Sequence, residues 1–350
     1  MAPGGLRPTL GLDTGTGSTD SAAMSLDPPA AVLTLTLNPA LDLSTETPEL
    51  VPGRKLRCAT PRLDPGGGGI NVSRMVTRLG GDTTAFVALG GATGMRLVAA
   101  LQAERISTRI IPIAGETRTS LSVRDAATGE QFRFMLPGPA LTQAEYDATI
   151  AALSEEAATG DFVVISGSQP TGAAPDFPAR LSRALGDKRV RLVVDTSGAA
   201  LDHLVTHPAG EIAARPEILR FDHAEAEDAA GRALPDLADT ARFAAELVAR
   251  GVARRIVVGR QAEGNLLADA DGIWFCRAAP VEVVSTIGAG DTFLAALTYA
   301  LAMGDTAPEA LRWGTAGACA AVATPGTKTC DPETVEALRP RCTVAPVALA

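Results

Sequence analysis

Short apolar runs and amphipathic stretches take turns along most of this chain, and that rhythm limits the folds open to it more than any single motif does. Val32–Leu37, Thr84–Leu89, Phe162–Ser166, Arg191–Asp195, Ile218–Phe221 and Arg255–Val258 read as strands. Ile70–Leu79, Gly94–Glu104, Gln143–Glu156, Ala179–Leu185 and Leu237–Arg250 carry apolar residues at helical spacing. Strands alternating with helices predict an α/β fold: a doubly wound, mostly parallel sheet flanked by helices. One interval breaks the rhythm. Thr108–Ile113, Thr119–Asp125 and Gln131–Leu136 look like successive strands joined by Gly115-Glu116 and Thr128-Gly129. They predict a small antiparallel sheet over about 107–136, joined by the segment near 42–60, serving as a lid over a cleft. From Thr292 to about Ala323 the chain is Ala-rich and helical.

Two glycine-rich segments interrupt this pattern where a strand gives way to a helix. Ser285-Thr286-Ile287-Gly288-Ala289-Gly290-Asp291-Thr292 leads into the apolar stretch from Phe293 to Met303. A glycine turn that opens a helix leaves backbone N–H groups free to face an anion, and the helix dipole adds positive charge there. An aspartate at that mouth can take a proton from a substrate hydroxyl while the amides hold a transferring phosphate. Read alone, the same string also describes a loop with an N-cap aspartate. The second segment, PGGGGINVSRMVTRLGG over 65–81, removes Cβ atoms at Gly66 to Gly69 where backbone must approach a ligand. Asn71 then falls in the first turn of a helix.

Ligands of open parallel sheets bind beyond the carboxyl ends of the strands. Asn38, Asp42, Ser166, Asp195, Thr196, Asp222 and Glu225 all follow predicted strands. Acidic residues gathered there can hold Mg²⁺ through water and bring it to nucleotide phosphates. The net charge of −9 and pI near 5.0 argue against nucleic-acid binding. An anionic small substrate then requires a local basic pocket, for which Lys55, Arg57 and Arg118 are candidates. The five cysteines are odd in number and show no C-x-x-C pair, which fits a reducing cytoplasm rather than a disulfide or zinc framework. His203 and His207 stand four apart without an accompanying Glu or Cys set, so they are not read as metal ligands. No apolar run reaches the length of a membrane span. Residues 1–29 read as a disordered, Gly/Thr/Ser/Pro-rich extension, within which Met24 is a candidate translation start. The folded unit is expected over 30–340, followed by a tail at 341–350.

These motifs, in this order, resemble the ribokinase-like sugar kinases, and among them the phosphofructokinase B branch. The likeness runs through TLTLNPALD, PGGGGINVSR, GGATG, TGEQFRF, ISGSQPTG, VVDTSG, STIGAGDT and PGTKTC, covering nearly all of 30–340. The resemblance implies ATP-dependent phosphorylation of fructose 6-phosphate at its C1 hydroxyl to give fructose 1,6-bisphosphate. Asp291 would be the general base, with Gly288, Ala289 and Gly290 as the anion hole. Asp42, Lys55, Arg57, Gly67, Asn71 and Arg118 would bind the sugar phosphate. Arg220, Asp222, Gly264 and Thr286 would line the nucleotide, and Asp195 and Glu225 would act around Mg²⁺. The resemblance also implies a monovalent-cation (K⁺) loop near Ser285, Ile287 and Gly326, and a homodimer joined through the lid.

One position separates possible acceptors. Relatives acting on fructose 1-phosphate or tagatose 6-phosphate usually carry GGKGxN, whereas this chain has Gly68 at the lysine. The departures from the family pattern cluster on the nucleotide side. K-P-N-x-x-E becomes Arg220-Phe221-Asp222-His223-Ala224-Glu225, placing a carboxylate where the family has a neutral amide. Like charge there disfavours the nucleotide unless Mg²⁺ intervenes. His223 is read as a surface or loop histidine. S-x-G-x-x-G becomes Gly259-Arg260-Gln261-Ala262-Glu263-Gly264, with Gln261 at a glycine. The alternatives are therefore a kinase for another sugar phosphate, or a catalytically weak sugar-phosphate-binding protein.

Overall fold

The computed structural model describes residues 29–326 and 328–349. The N-terminal extension and the Met24 start fall almost wholly outside these residues.

In chain order the elements are β1 (Val32–Thr36), β2 (Ala40–Thr47), β3 (Arg62–Gly66), α1 (Gly68–Arg78), β4 (Thr83–Leu89), α2 (Gly91–Ala103) and β5 (Thr108–Pro112). Next come β6 (Arg118–Asp125), β7 (Gln131–Met135), α3 (Gln143–Glu156), β8 (Phe162–Ser166), α4 (Phe177–Gly186), β9 (Arg191–Asp195) and α5 (Ala199–Thr206). After these lie β10 (Ile218–Phe221), α6 (His223–Ala230), α7 (Leu237–Ala249), β11 (Arg255–Gly259), β12 (Gly264–Ala268) and β13 (Ile273–Arg277). The chain closes with α8 (Ala289–Ala302), α9 (Ala307–Val322), α10 (Pro332–Leu338) and β14 (Thr343–Pro346).

The main sheet runs β14-β13-β12-β11-β10-β9-β8-β1-β4-β5. It is parallel from β11 to β5 and antiparallel from β11 to β14. Helices on both faces explain why its central strands are apolar at every position rather than at alternate ones. In β8, Phe162 and Val164 face the layer formed by α1, α8, α9 and α10. Val163 and Ile165 face the layer formed by α3, α4, α5 and α7. Each fully buried phenylalanine, such as Phe162 or Phe293, contributes about 2–3 kcal/mol of burial. In α1, Ile70, Val72, Met75 and Val76 supply the buried stripe, and Leu79 with Gly80-Gly81 ends the helix. The Ala-rich stretch after Thr292 is helical, as two helices parted where the chain turns at Met303-Gly304.

Two excursions from the main sheet build the second one, ordered β3-β2-β6-β7. β2–β3 and β6–β7 are antiparallel pairs, joined by a parallel seam between β2 and β6. A third apolar cluster, including Leu41, Ile70, Val87, Leu97 and Leu101, lies where this lid meets α2 and the main sheet.

Three sequence expectations change here. The strand at Thr108–Pro112 belongs to the main sheet, paired in parallel with β4, because Ile111 is buried in the core. Gly115-Glu116 is accordingly a crossing between sheets, not a hairpin turn. The presumed tail contains β14, which pairs Val344 with Cys276 and Ala345 with Phe275 on the sheet edge. Between β2 and β3 the segment from 48 to 61 is irregular. No helix among the described residues is long and apolar enough to cross a membrane.

Candidate active site

Asp291, in the first turn of α8, is met by the N-terminal turn of α1 and by residues of β8, β9 and β10. Helices α3, α6 and α7 have side-chain caps at Thr142, Asp222 and Asp236. Helices α1 and α8 do not: each opens on a glycine with positive φ, Gly67 at 140° and Gly288 at 73°. Backbone N–H groups of an uncapped first turn are donors for a ligand.

Asp291 lies in the first turn of α8 with both carboxylate oxygens engaged. Asn71 Nδ2 donates to Oδ2 at 2.9 Å and Ser166 Oγ donates to Oδ1 at 2.9 Å. Burial pushes its pKa above the usual aspartate value; those two hydrogen bonds oppose the rise, the Asp195 charge adds to it and Arg220 opposes it. A buried carboxylate with a raised proton affinity and two fixed donors is a candidate proton acceptor.

Arg220 is the fixed cation of the cluster. Its Nη1 donates to Asp195 Oδ1 at 3.0 Å. Burial works against its charge, but the carboxylates of Asp195, Glu225 and Asp222 outweigh it and raise the pKa. The guanidinium lies flush against the glycine turn: a Cβ on Gly290 would stand 3.1 Å from Nη1 and 3.2 Å from Nη2. Positive charge thus sits directly beside Gly290 in that turn. The Arg220 Nε is buried without a hydrogen-bond partner among the described residues.

Asp222 and Glu225 have an architectural task that the motif comparison hid. Glu225 N donates to Asp222 Oδ1 at 2.8 Å, and Asp222 N donates to Glu225 Oε2 at 2.8 Å. They form a capping box at the start of α6. Burial raises the Glu225 pKa, and the Asp222 and Asp195 charges add to that rise. Among the described residues no three His, Cys, Asp or Glu side chains group into a metal cage. Mg²⁺ rarely needs one, since it keeps waters and is held by one or two carboxylates plus phosphates. The acidic pair Asp195 and Glu225 fits that mode.

On the lid side, Asp42 faces Asp64 and Ser120 across the strands. Burial raises its pKa; a Ser120 hydrogen bond and the charges of Arg118 and Arg133 oppose the rise. Arg118 donates to Asn38 O from Nε at 3.2 Å and Nη2 at 3.1 Å, and to Leu136 O from Nη1 at 3.3 Å. It fastens the lid to the end of the β1 segment. Lys55 and Arg57 stand exposed on the β2–β3 connection, outside this hydrogen-bonded cluster. Thr286 is exposed before the glycine turn. Gly264 opens β12 at φ 136°, where a Cβ would lie 2.0 Å from Cys276 O, so its glycine is a backbone necessity.

Sequence reading assigns no specific role to Ser166, Arg74 or Arg260, and Gln261 stands out there only as a departure at a glycine. Ser166 was visible only as a polar residue after a strand, and Arg74 only as a polar position on a helix. Arg260 is buried at 5 % exposure and donates to the carbonyls of Leu234, Pro235 and Asp236, to Thr240 and to Glu263. Gln261 beside it holds a left-handed φ of 52°. That is a conformation in which glycine is favoured over other residues.

A model of the pfkB family carbohydrate kinases matches residues 35–334. The chain is 39% identical over 305 residues to an "ATP-dependent 6-phosphofructokinase isozyme 2" of Mycobacterium tuberculosis, covering 87% of this chain and 88% of that one. It is 31% identical over 291 residues to a "1-phosphofructokinase" of Escherichia coli, covering 83% and 90%. Solved structures of phosphofructokinase-2 from Escherichia coli superpose over 89% of this chain and 98% of theirs. The complex with fructose-6-phosphate gives a TM-score of 0.81 at 34% identity, and the complex with potassium gives 0.83 at 35%.

Proposed function

The chain belongs to the pfkB family of carbohydrate kinases and is a sugar-phosphate phosphotransferase with an alcohol acceptor, and from that premise we propose that it moves the γ-phosphoryl group of ATP to the C1 hydroxyl of fructose 6-phosphate. The observation that carries this reading is Asp291, held through both oxygens at an uncapped helix N-terminus beside Arg220. In this mechanism Asp291 accepts the C1 hydroxyl proton as the oxygen attacks. The backbone amides of Gly288, Ala289 and Gly290 hold the charge on the transferring group, and Arg220 adds a full positive charge behind them. Asp195 and Glu225 would hold Mg²⁺, which would neutralise charge on the nucleotide phosphates. Asp42 and Arg118 orient the sugar phosphate under the lid, with Asn71 and Gly67 on the core side.

Gly68 favours fructose 6-phosphate over fructose 1-phosphate or tagatose 6-phosphate as acceptor. The same reading includes two further parts. Val284 N and Ser285 N both donate to Val322 O, which brings the loop before the glycine turn to the carbonyl end of α9, near Gly326. Such an end suits a monovalent cation, and K⁺ is the ion proposed there. On the lid, Leu63, Leu43, Leu121 and Phe134 are direct cross-strand neighbours, with Leu63 and Phe134 exposed. That apolar row fits the lid of a second copy in a homodimer.

The test is phosphate transfer from several nucleotides to fructose 6-phosphate, tagatose 6-phosphate and fructose 1-phosphate, repeated with Asp291→Asn. The expected result is a preference for ATP with fructose 6-phosphate, and a kcat reduced by roughly 10²–10⁴-fold in the variant. Near-normal kcat in Asp291→Asn would overturn the base assignment. Sugar-phosphate binding without transfer to any acceptor would favour the binding-protein alternative.

A further inference from the structure

The proposed base touches the amide of Asn71, and an amide has two ends with opposite meaning for a carboxylate. Nδ2 stabilises the ionised form by donating to it, whereas Oδ1 in the same place would repel it. Something must decide which end faces Asp291. Arg74, one turn along α1, donates from Nη1 to Asn71 Oδ1 at 2.5 Å. Arginine is a donor only and does not lose its proton in proteins, so it accepts just one orientation of the amide. Arg74 is itself fixed from two further sides. Its Nε donates to Glu104 Oε2 at 2.5 Å and its Nη2 to Glu104 Oε1 at 3.2 Å. Nη2 also donates to Pro65 O at 3.0 Å, at the head of the glycine loop. Its side chain is only 12% exposed.

We infer that Arg74, held by Glu104, is a positioning residue that locks the Asn71 amide with its donor end toward Asp291. The inference rests on the reading of Asp291 as the base. It assigns Arg74 no contact with substrate. Its effect runs through one rotatable amide to one carboxylate. The other groups facing Asp291 are Ser166 at the end of β8, Asp195 at the end of β9 and Arg220 in β10. None of them touches Arg74, so they set the background against which the Asn71 bond acts. The Pro65 bond gives Arg74 a second, separable effect on the shape of the glycine loop.

Arg74→Met keeps most of the packed stem and removes every donor. The measurement is the pH profile of kcat, together with KM for fructose 6-phosphate. Once the amide is free to turn, Asp291 loses a donor and binds its proton more tightly. The acid limb of kcat is expected to move up by about one pH unit. Activity should fall most at low pH and recover toward wild type on the alkaline side. Glu104→Gln, which leaves the Arg74–Asn71 bond in place, should shift the limb far less. A kcat lowered equally at all pH values with an unmoved limb, or a change confined to KM, means Arg74 only shapes the loop and overturns the inference. If Arg74→Met does not fold, Arg74→Gln carries the same test, because its neutral amide can serve either orientation of Asn71. A wild-type profile without an acid limb, or one unchanged by Asp291→Asn, defeats the base assignment itself and is distinguishable from failure of the Arg74 step.

Discussion

Replacing Gly68 by alanine asks a sharper question than its size suggests. A Cβ there would lie 2.3 Å from Ser166 Oγ, 2.7 Å from Ser166 C and 2.8 Å from Gly167 N. The first overlap can be relieved by turning the Ser166 side chain, but that breaks its 2.9 Å bond to Asp291. A hydrogen bond to a charged group is worth about 1.5–3 kcal/mol. By the same reasoning as for Asn71, that loss favours the protonated carboxyl. At about 1.36 kcal/mol per pH unit, the acid limb of kcat should move up by roughly one to two units. On that limb kcat then falls roughly 10- to 100-fold, and it recovers on the alkaline side. The other two overlaps involve backbone at the end of β8 and cannot be relieved by rotation. They act as overpacking and should cost about 1–3 kcal/mol of stability. Steady-state kinetics and urea denaturation read the two losses separately. Gly210→Ala is the control, since nothing lies within 4 Å of its Cβ and its φ is not positive; it should be neutral in both assays. Wild-type kcat across the acid limb and wild-type midpoint in Gly68→Ala would refute the reasoning. For the same steric reason, Gly68→Lys should damage the enzyme rather than redirect it toward the acceptors of lysine-bearing relatives.

Gln261→Gly should relieve about 1–2 kcal/mol of left-handed strain and give back about half to unfolded-chain entropy, so the urea midpoint should rise; a fall would mean the Gln261 side chain is needed. Asp222→Asn keeps an N-cap and removes one carboxylate beside Arg220, so calorimetry should show tighter ATP binding and a flatter Mg²⁺ dependence with unchanged stability. Asp222→Ala should lose about 1 kcal/mol with the cap, and tighter cap-independent folding in that variant would contradict the capping role. Arg118→Ala should raise KM for fructose 6-phosphate far more than KM for ATP, and an unchanged acceptor KM would remove Arg118 from the acceptor site.

Local chemistry was readable before the fold was known. The Gly288–Asp291 turn, the Gly66–Gly69 loop and the run of central strands all announce themselves in contiguous residues, because their physics is local. What stayed hidden depends on partners distant in sequence. Nothing in Thr108–Pro112 says that its ladder partner is β4 rather than β6. Thr343–Pro346 is too short to read as a strand until β13 lies beside it. Ser166 and Arg74 acquire meaning only when α1, β8 and α8 come together. Asp222 shows the opposite failure. Its D-x-x-E spacing is a legible capping box, but comparison with a family motif drew attention to the lost asparagine instead. Lys55 and Arg57 were read from charge and from the family resemblance, and neither says where an irregular, exposed connection carries its side chains.

The seam between β2 and β6 has a consequence for the order of folding. It pairs Ala40 with Arg118 and Thr47 with Asp125, and the intervening chain contains β4, α2 and β5 of the main body. Contacts so far apart in sequence form only after large loops have closed, so the lid is expected to assemble late. It shares little core with the rest and should also be the first unit to open, exchanging amide protons faster than β1 or β8. Asp42 and Arg118 ride on that unit, whereas Asp291, Asn71 and Ser166 belong to the body. A molecule can therefore keep the proposed base intact while the proposed acceptor pocket has come apart. A sugar phosphate bridging lid and body would act as the clasp that holds the last foldon in place, making protection of β2 and β6 a direct gauge of acceptor occupancy.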